Sequence, residues 1–341
     1  MKVLVTGGAG FIGSNFIHKY IDICQILNYD KLTYAGNLEN LKLVESHKNY
    51  NFIQGDIKDE IKLKNIFQNY QPDAIINFAA ESHVDKSIDG PRDFIESNIA
   101  GTYQLLQESL NYFNGIKNSK KRKFRYLQIS TDEVYGSLGS LGKFKETTSY
   151  NPSSPYSASK ASADHLVRAW FHTYKLPILI TSCSNNYGPY QYPEKLIPLI
   201  ISNCLQHKEL PVYGNGNNIR DWIYVKDHCS AIFKVLKEGK IGETYNIGGG
   251  QEMKNIDIVN SICSILDNIC PSKKLKTYKS LIVFVKDRPG HDFRYAIDST
   301  KIENQLNFYP LENIESGLNK TIKWYLDNSD WMKKINLKHK V

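Results

Sequence analysis

No stretch of the sequence approaches the roughly 20 apolar residues of a membrane-spanning helix, so no membrane contact is expected. Nothing like a leader precedes the first strand pattern at Lys2, and a cytoplasmic protein is expected. The six cysteines, Cys24, Cys183, Cys204, Cys229, Cys263 and Cys270, show no paired spacing. That leaves no metal site to read and points to free thiols in a reducing compartment. Internal repeats of solenoid period and low-complexity linkers are missing too. The net charge of +8 is gathered largely in Lys117 to Lys123 and Lys333 to Lys340, and neither run is interleaved with aromatics. These read as solvated faces, and no nucleic-acid partner is expected.

What is present is a chain of ordinary globular composition, 341 residues with 41% hydrophobic and 23% charged, enough for one large unit and a smaller appended one. Lys2 to Thr6 is a short apolar, β-rich run that passes at once into Gly7-Gly8-Ala9-Gly10-Phe11-Ile12-Gly13. Gly7, Gly10 and Gly13 fall three apart, so backbone can approach a pyrophosphate and the following helix can turn its N-terminal N–H groups toward it. A second apolar run, Gln25 to Tyr29, ends in Asp30, where a dinucleotide fold places the carboxylate for the adenosine ribose. A carboxylate there would repel a 2′-phosphate and favours NAD over NADP, with Lys31 beside it pulling the other way. A glycine triplet alone is often just a turn; strand, triplet, helix, strand and acid in order make the dinucleotide reading.

Downstream, Tyr156 and Lys160 stand four apart in a segment, Ser157 to Lys175, that reads as helix, so both side chains share a face. An ammonium one turn from a phenol favours phenolate and would lower the phenol toward the range of a general base. The plainer alternative is a chance surface pair.

The glycine triplet followed by Y-x-x-x-K resembles the extended short-chain dehydrogenase/reductases. The strings Asp30-Lys31-Leu32-Thr33-Tyr34-Ala35-Gly36-Asn37, Ala79-Ala80-Glu81-Ser82-His83-Val84-Asp85, Ser130-Thr131-Asp132-Glu133-Val134-Tyr135-Gly136 and Asp287-Arg288-Pro289-Gly290-His291-Asp292 narrow the resemblance to the nucleotide-diphosphoglucose 4,6-dehydratases, over the chain up to about Tyr325. The resemblance implies a Rossmann-type α/β fold with a doubly wound parallel sheet and a smaller mixed α/β C-terminal substrate domain. The expected division is 1–188 for NAD, 189–330 for the nucleotide sugar and a tail over 331–341, mobile from Asn328. Trp222 to Val225 and Thr244 to Ile247 are expected to return to the main sheet.

For the cofactor the resemblance implies Gly7, Gly10, Phe11, Ile12, Gly13, Asp30, Lys31, Leu32 and Thr33. Asp56 and Ile57 follow at the end of a third strand and Phe78, Ala79, Ala80, Glu81 and Ser82 at the end of a fourth; Ser97 stands where the family usually has threonine. Tyr156, Lys160 and Asn186 complete the set. Asn185 and Ser82 are implied on the substrate, Lys195, Leu196, Pro211, Val212 and Tyr213 at the nucleotide, and Arg220 and Arg288 as guanidinium clamps on the diphosphate. Asn255, Asp287, Pro289, Gly290 and His291 complete that pocket. His83 is read as structural. The segment Pro91 to Tyr112 has helical periodicity with Ile95, Ile99, Leu105, Leu106 and Leu110 on one stripe, and the resemblance implies a homodimer in which this helix and the Tyr156 helix form a bundle.

The implied reaction begins with oxidation of a glucose C4 hydroxyl, which makes the C5 proton removable. Glu133 is expected to take that proton, Asp132, held protonated, to give one to the leaving C6 hydroxyl, and Thr131 to bond the C4 oxygen with Tyr156. Return of the hydride to C6 and of a proton to C5 gives a 4-keto-6-deoxy sugar with no net use of NAD. The implied substrate is dTDP-glucose, with UDP-glucose open. A 4-epimerase on the same scaffold is the first rival; a non-catalytic NAD-binding scaffold or sensor is the second, and it predicts erosion of Tyr156, Lys160, Asp132 or Glu133, all of which are present.

Overall fold

The computed structural model describes residues 1–338, with side chains through residue 335. Its first six strands are β1 (Lys2–Thr6), β2 (Gln25–Asp30), β3 (Tyr50–Gln54), β4 (Ala74–Asn77), β5 (Arg125–Thr131) and β6 (Ile178–Cys183). Then come β7 (Asn185–Tyr187), β8 (Leu210–Tyr213), β9 (Ile219–Tyr224), β10 (Thr244–Ile247), β11 (Glu252–Lys254) and β12 (Ile282–Val285). Seven of them pair in parallel in the order β3-β2-β1-β4-β5-β6-β10, a doubly wound sheet whose order reverses beside β1.

Alternation along β1 explains its two covered faces. Val3 and Val5 pack with Phe16 and Ile17 of the helix Phe11–Tyr20 and with Ile232 and Val235 of the helix Val225–Glu238. Leu4 points the other way, into a core with Leu63, Leu105 and Val167 from the helices Glu60–Tyr70, Thr102–Gly115 and Pro155–Tyr174. The carboxyl edge of the sheet thereby delivers Gly7, Asp30, Gly55, Phe78, Thr131 and Cys183 to one side of the molecule.

A third core lies beyond the sheet. β11-β9-β7 and β12-β8 form two small sheets, and Tyr187, Trp222 and Tyr224 pack with the helices Leu196–Gln206, Asn255–Ile269 and Ile314–Asp327. Thr244 to Ile247 rejoins the main sheet as expected, through pairing with β6. Trp222 to Val225 does not: β9 pairs with β7 and β11 instead, because Trp222 and Tyr224 turn their rings into this separate core.

The tail expectation is also corrected. Ser329–Lys338 is a helix, and Trp331, Met332 and Ile335 are buried, with Trp331 Nε1 donating to Asn40 Oδ1 at 2.9 Å. A short polar sequence hides three well-spaced apolar anchors. Residues 339–341 of the expected tail lie outside the described residues.

Between Pro91 and Tyr112 the chain is helical, but Ile95–Gly101 is a π turn. Its extra residue per turn rotates the face, so the expected stripe splits. Leu105, Leu106 and Leu110 pack under the chain's own sheet while Ile95 stays 53% exposed.

Candidate active site

Backbone builds the cofactor end of the cleft. Gly7 has φ +70, and a Cβ there would stand 2.6 Å from Ala79 N; one at Gly13 would stand 2.5 Å from Gly7 O. Side chains are thus barred from a cradle that opens onto the start of the helix Phe11–Tyr20. Asp30, almost wholly buried, is oriented by two backbone donors: Ala9 N to Oδ2 and Leu32 N to Oδ1, both at 2.8 Å. Burial pushes its carboxyl up, and the two N–H bonds oppose that rise. Lys31 leans across to Asp56 at 2.9 Å. On the far wall, Asn98 in the π turn accepts from Glu81 N at 2.8 Å and donates to Ser159 Oγ at 2.8 Å, which ties the strand-end loop 78–82 to the Tyr156 helix.

The reactive end depends on two capping devices. Ser154 accepts from Ser157 N while Ser157 Oγ accepts from Ser154 N, a capping box with Pro155 in the first turn, so the helix Pro155–Tyr174 starts just ahead of Tyr156. Thr131 caps the short turn Asp132–Tyr135, accepting from Glu133 N at 3.3 Å. The two acids therefore leave β5 into the same cleft as Tyr156 and Lys160, which opens about 310 Å³.

Electrostatics separates the acid pair. Burial, then Glu133, then Asp221 push Asp132 well above the ordinary carboxyl range, and its Oδ2 has no hydrogen-bond partner among the described residues. Glu133 is also raised by burial, but Arg288, Lys195 and Arg220 oppose the rise. The first acid is set up to hold a proton and the second has cations to favour its charge. Lys160 Nζ donates to Ile129 O at 2.7 Å. The expected lowering of Tyr156 is not found: burial and then Glu133 push the phenol well above its ordinary value, and the bond to Thr131 only partly opposes them. In a dry site the loss of water outweighs an ammonium one turn away.

Every expected cofactor residue except Leu32 lines this cleft, as do Thr131, Asp132, Glu133, Asn185 and Lys195. Leu32, at φ +60, packs its side chain against the first core and meets the site only through backbone. The nucleotide residues Leu196, Pro211, Val212, Tyr213, Arg220, Asn255, Asp287, Arg288, Pro289, Gly290 and His291 do not line it. Val212 is buried in the third core, and Leu196, partly buried, packs against it. Arg220 is held inward by Ile219 O and Asp292 O, 2.8 and 3.0 Å away, over the Tyr295 ring. Arg288 pairs with Asp85 at 3.1 Å, Tyr213 reaches the same carboxylate at 3.5 Å, and His291 meets Asp287 at 2.6 Å. These residues form an outer cluster next to the cleft.

Residues 4–321 match the family model described as GDP-mannose 4,6 dehydratase. A dTDP-glucose 4,6-dehydratase of Shigella flexneri is 56% identical over 98% of this chain and 95% of its own length. The chain belongs to the dTDP-glucose 4,6-dehydratase family. Among solved structures of that family, the enzyme from Bacillus anthracis in complex with NAD is 46% identical with a TM-score of 0.87, covering 98% of this chain and 99% of that one. The enzyme from Streptomyces venezuelae with NAD and dTDP bound is 42% identical with a TM-score of 0.88, covering 98% and 100%.

Sequence reasoning missed several residues of this 4,6-dehydratase cleft. Glu194 lines it and accepts from Tyr34 Oη at 2.8 Å, with His83 Nε2 at 3.5 Å and Lys86 Nζ at 3.6 Å from its other oxygen. Its position next to Lys195 was the available signal. Asp85, the partner of Arg288, lay inside a string already quoted. Cys183 also lines the cleft, its thiol pushed up to about 12 by burial and then by Asp132.

Proposed function

We propose that this chain converts dTDP-glucose to its 4-keto-6-deoxy derivative and water, with NAD held in the glycine cradle. The observation that carries the reading is the meeting of the Asp132–Glu133 pair with Tyr156 and Lys160 in one dry cleft beside that cradle. Bound NAD supplies a hydride acceptor for the first step and a hydride donor for the last. Gly7, Gly10, Gly13, Asp30 and the 78–82 loop would hold it, and a cradle that any Cβ would fill fits that group.

Tyr156 takes the C4 hydroxyl proton, with Thr131 bonded to the same oxygen and Lys160 lending positive charge. Glu133 then removes the C5 proton, acidified by the new ketone, Asp132 protonates the departing C6 hydroxyl, and Glu133 gives the proton back to C5 as C6 is reduced. Asp132 without a partner on Oδ2 and raised by burial and Glu133 supports the acid role; three cations around Glu133 support the base role. Asn185, Asn186 and Lys195 would meet the sugar and cofactor, and the outer cluster of Arg220, Arg288 and His291 the nucleotide diphosphate. A thymine methyl is worth about 1–3 kcal/mol of discrimination, so UDP-glucose is a slower second substrate.

The same reading divides the chain at about residue 188, with 189–330 as the nucleotide-sugar unit around the third core, and puts it in the cytoplasm, where buried, free thiols persist. A homodimer fits the outer faces of two helices, where Tyr103, Trp170 and Tyr174 stack edge to face and Tyr103 and Tyr174 stay about half exposed. Mass spectrometry of the product from dTDP-glucose tests the function. Loss of one water is expected; an epimer of unchanged mass would overturn the dehydratase reading.

A further inference from the structure

We propose that Asp164 is a positioning residue for this site: its buried carboxylate, one helical turn beyond Lys160, is the counter-charge that keeps the Lys160 ammonium protonated and aimed at the Ile129 carbonyl. The inference rests on the C4-oxidation reading above.

Asp164 lies in the helix Pro155–Tyr174 with no exposed surface. A charge so placed needs an opposite charge, because isolated burial is costly. Oδ2 accepts from Ser130 Oγ at 2.6 Å and Tyr150 Oη at 3.0 Å, while Oδ1 has no hydrogen-bond partner among the described residues. Two cations share its helix face, Lys160 four residues before and Arg168 four after. The Arg168 guanidinium is engaged elsewhere, donating to Tyr150 Oη at 2.7 Å and Thr244 Oγ1 at 3.2 Å. Among the described residues Lys160 makes one hydrogen bond, to Ile129 O.

The other titratable groups facing the pair are Tyr126 on β5, Tyr135 on the turn after it, Tyr150 on the loop, Cys183 on β6 and Tyr156 on the helix itself. None of these is a cation, and Arg168 is the second positive charge acting on Asp164, behind Lys160. Burial pulls Lys160 down, and Asp164 is the foremost charge opposing it; burial pushes Asp164 up, and Lys160 is the foremost charge opposing that. The carboxylate has a second lever as well, since Ser130 directly precedes Thr131, Asp132 and Glu133.

Removing the carboxylate lets the ammonium lose its proton at lower pH, so a reaction that needs the ammonium loses its alkaline limb earlier. The test follows NADH absorbance in single turnovers of the holoenzyme with dTDP-glucose across pH. Asp164→Asn is expected to move the alkaline limb down by about one unit or more, a tenfold loss of rate at a fixed pH on that limb. Asp164→Glu should restore it. Tyr150→Phe removes a hydrogen bond but leaves the charge, and should keep the wild-type limb whatever it does to stability. If Asp164→Asn does not fold, Asp164→Ser carries the same expectation. An unmoved limb without the carboxylate, or an equal shift in Tyr150→Phe, overturns the proposal. A wild-type enzyme that forms no NADH would instead sink the oxidation reading beneath it.

Discussion

Replacing Asp132 with asparagine separates the two halves of the proposed reaction. The side chain is 2% exposed, and burial with two neighbouring carboxyls already favours its neutral form, so a neutral amide of the same shape disturbs little charge. Stability is expected to change by less than about 1 kcal/mol, since the substitution adds no buried ion and removes no strong partner. What it removes is an acidic proton. General acid catalysis contributes about 10² to 10⁴ in rate, which corresponds to roughly 2.7–5.5 kcal/mol of barrier. In rapid mixing with dTDP-glucose, NADH should form at close to the wild-type rate, because C4 oxidation depends on Tyr156 and Lys160. Its decay should slow by that factor, because the hydride cannot return until water has left. The variant should therefore accumulate NADH. Equal slowing of both phases, or decay at the wild-type rate, would refute the assignment of Asp132 as the acid.

Three other perturbations follow from the same structure. Gly13→Ala puts a methyl 2.5 Å from Gly7 O and 2.7 Å from Gly8 Cα, so it should cost about 1–3 kcal/mol and lower the NAD retained after gel filtration; full occupancy would count against the cradle. Trp331→Ala should cost about 3–5 kcal/mol in urea unfolding, because the ring is buried against Tyr190, Trp324 and Tyr325 and bonds Asn40; an unchanged midpoint would restore the tail reading. Asp221 is raised to about 6, chiefly by burial, so the folded state holds a proton that the unfolded state releases between about pH 4 and 6. Stability from this group is present below that window and falls as pH rises through it. Asp221→Asn should flatten the slope by on the order of 2–3 kcal/mol across the window, and an identical slope in both proteins would contradict the shift.

The dinucleotide half was legible because its signals are local. A strand, a glycine turn and a helix cap are each fixed by residues within a few positions, and the parallel order follows from the right-handedness that crossover connections favour. Errors collected where distant packing decides. Trp222 and Tyr224 carry a good strand pattern, but which sheet accepts them depends on the aromatic core around Tyr187, far away in sequence. Periodicity over Ile95 to Leu110 presumed 3.6 residues per turn throughout, and a π turn carries no pattern that a hydrophobic count detects. Trp331, Met332 and Ile335 were hidden among lysines and asparagines, where three buried side chains are too few to register against a polar background.

Side-chain chemistry was legible as membership of the site, and much less so as electrostatics. The four residues Asp132, Glu133, Tyr156 and Lys160 do converge, since each sits within a few residues of a strand end or a helix start. What spacing could not give was the sign of the shift on Tyr156. The lysine argument weighs one favourable charge, whereas the folded site adds burial of the whole ring and a carboxylate from Glu133, both opposed to phenolate. A phenol set that high is a poor base while Glu133 is charged and a better one while Glu133 is neutral. Proton removal from C4 and proton removal from C5 are then coupled through that carboxylate. On this argument Glu133→Gln, besides abolishing C5 exchange, should ease the first oxidation toward lower pH, a change readable as earlier onset of NADH formation; an onset that moves to higher pH would show that Glu133 assists Tyr156 instead of opposing it.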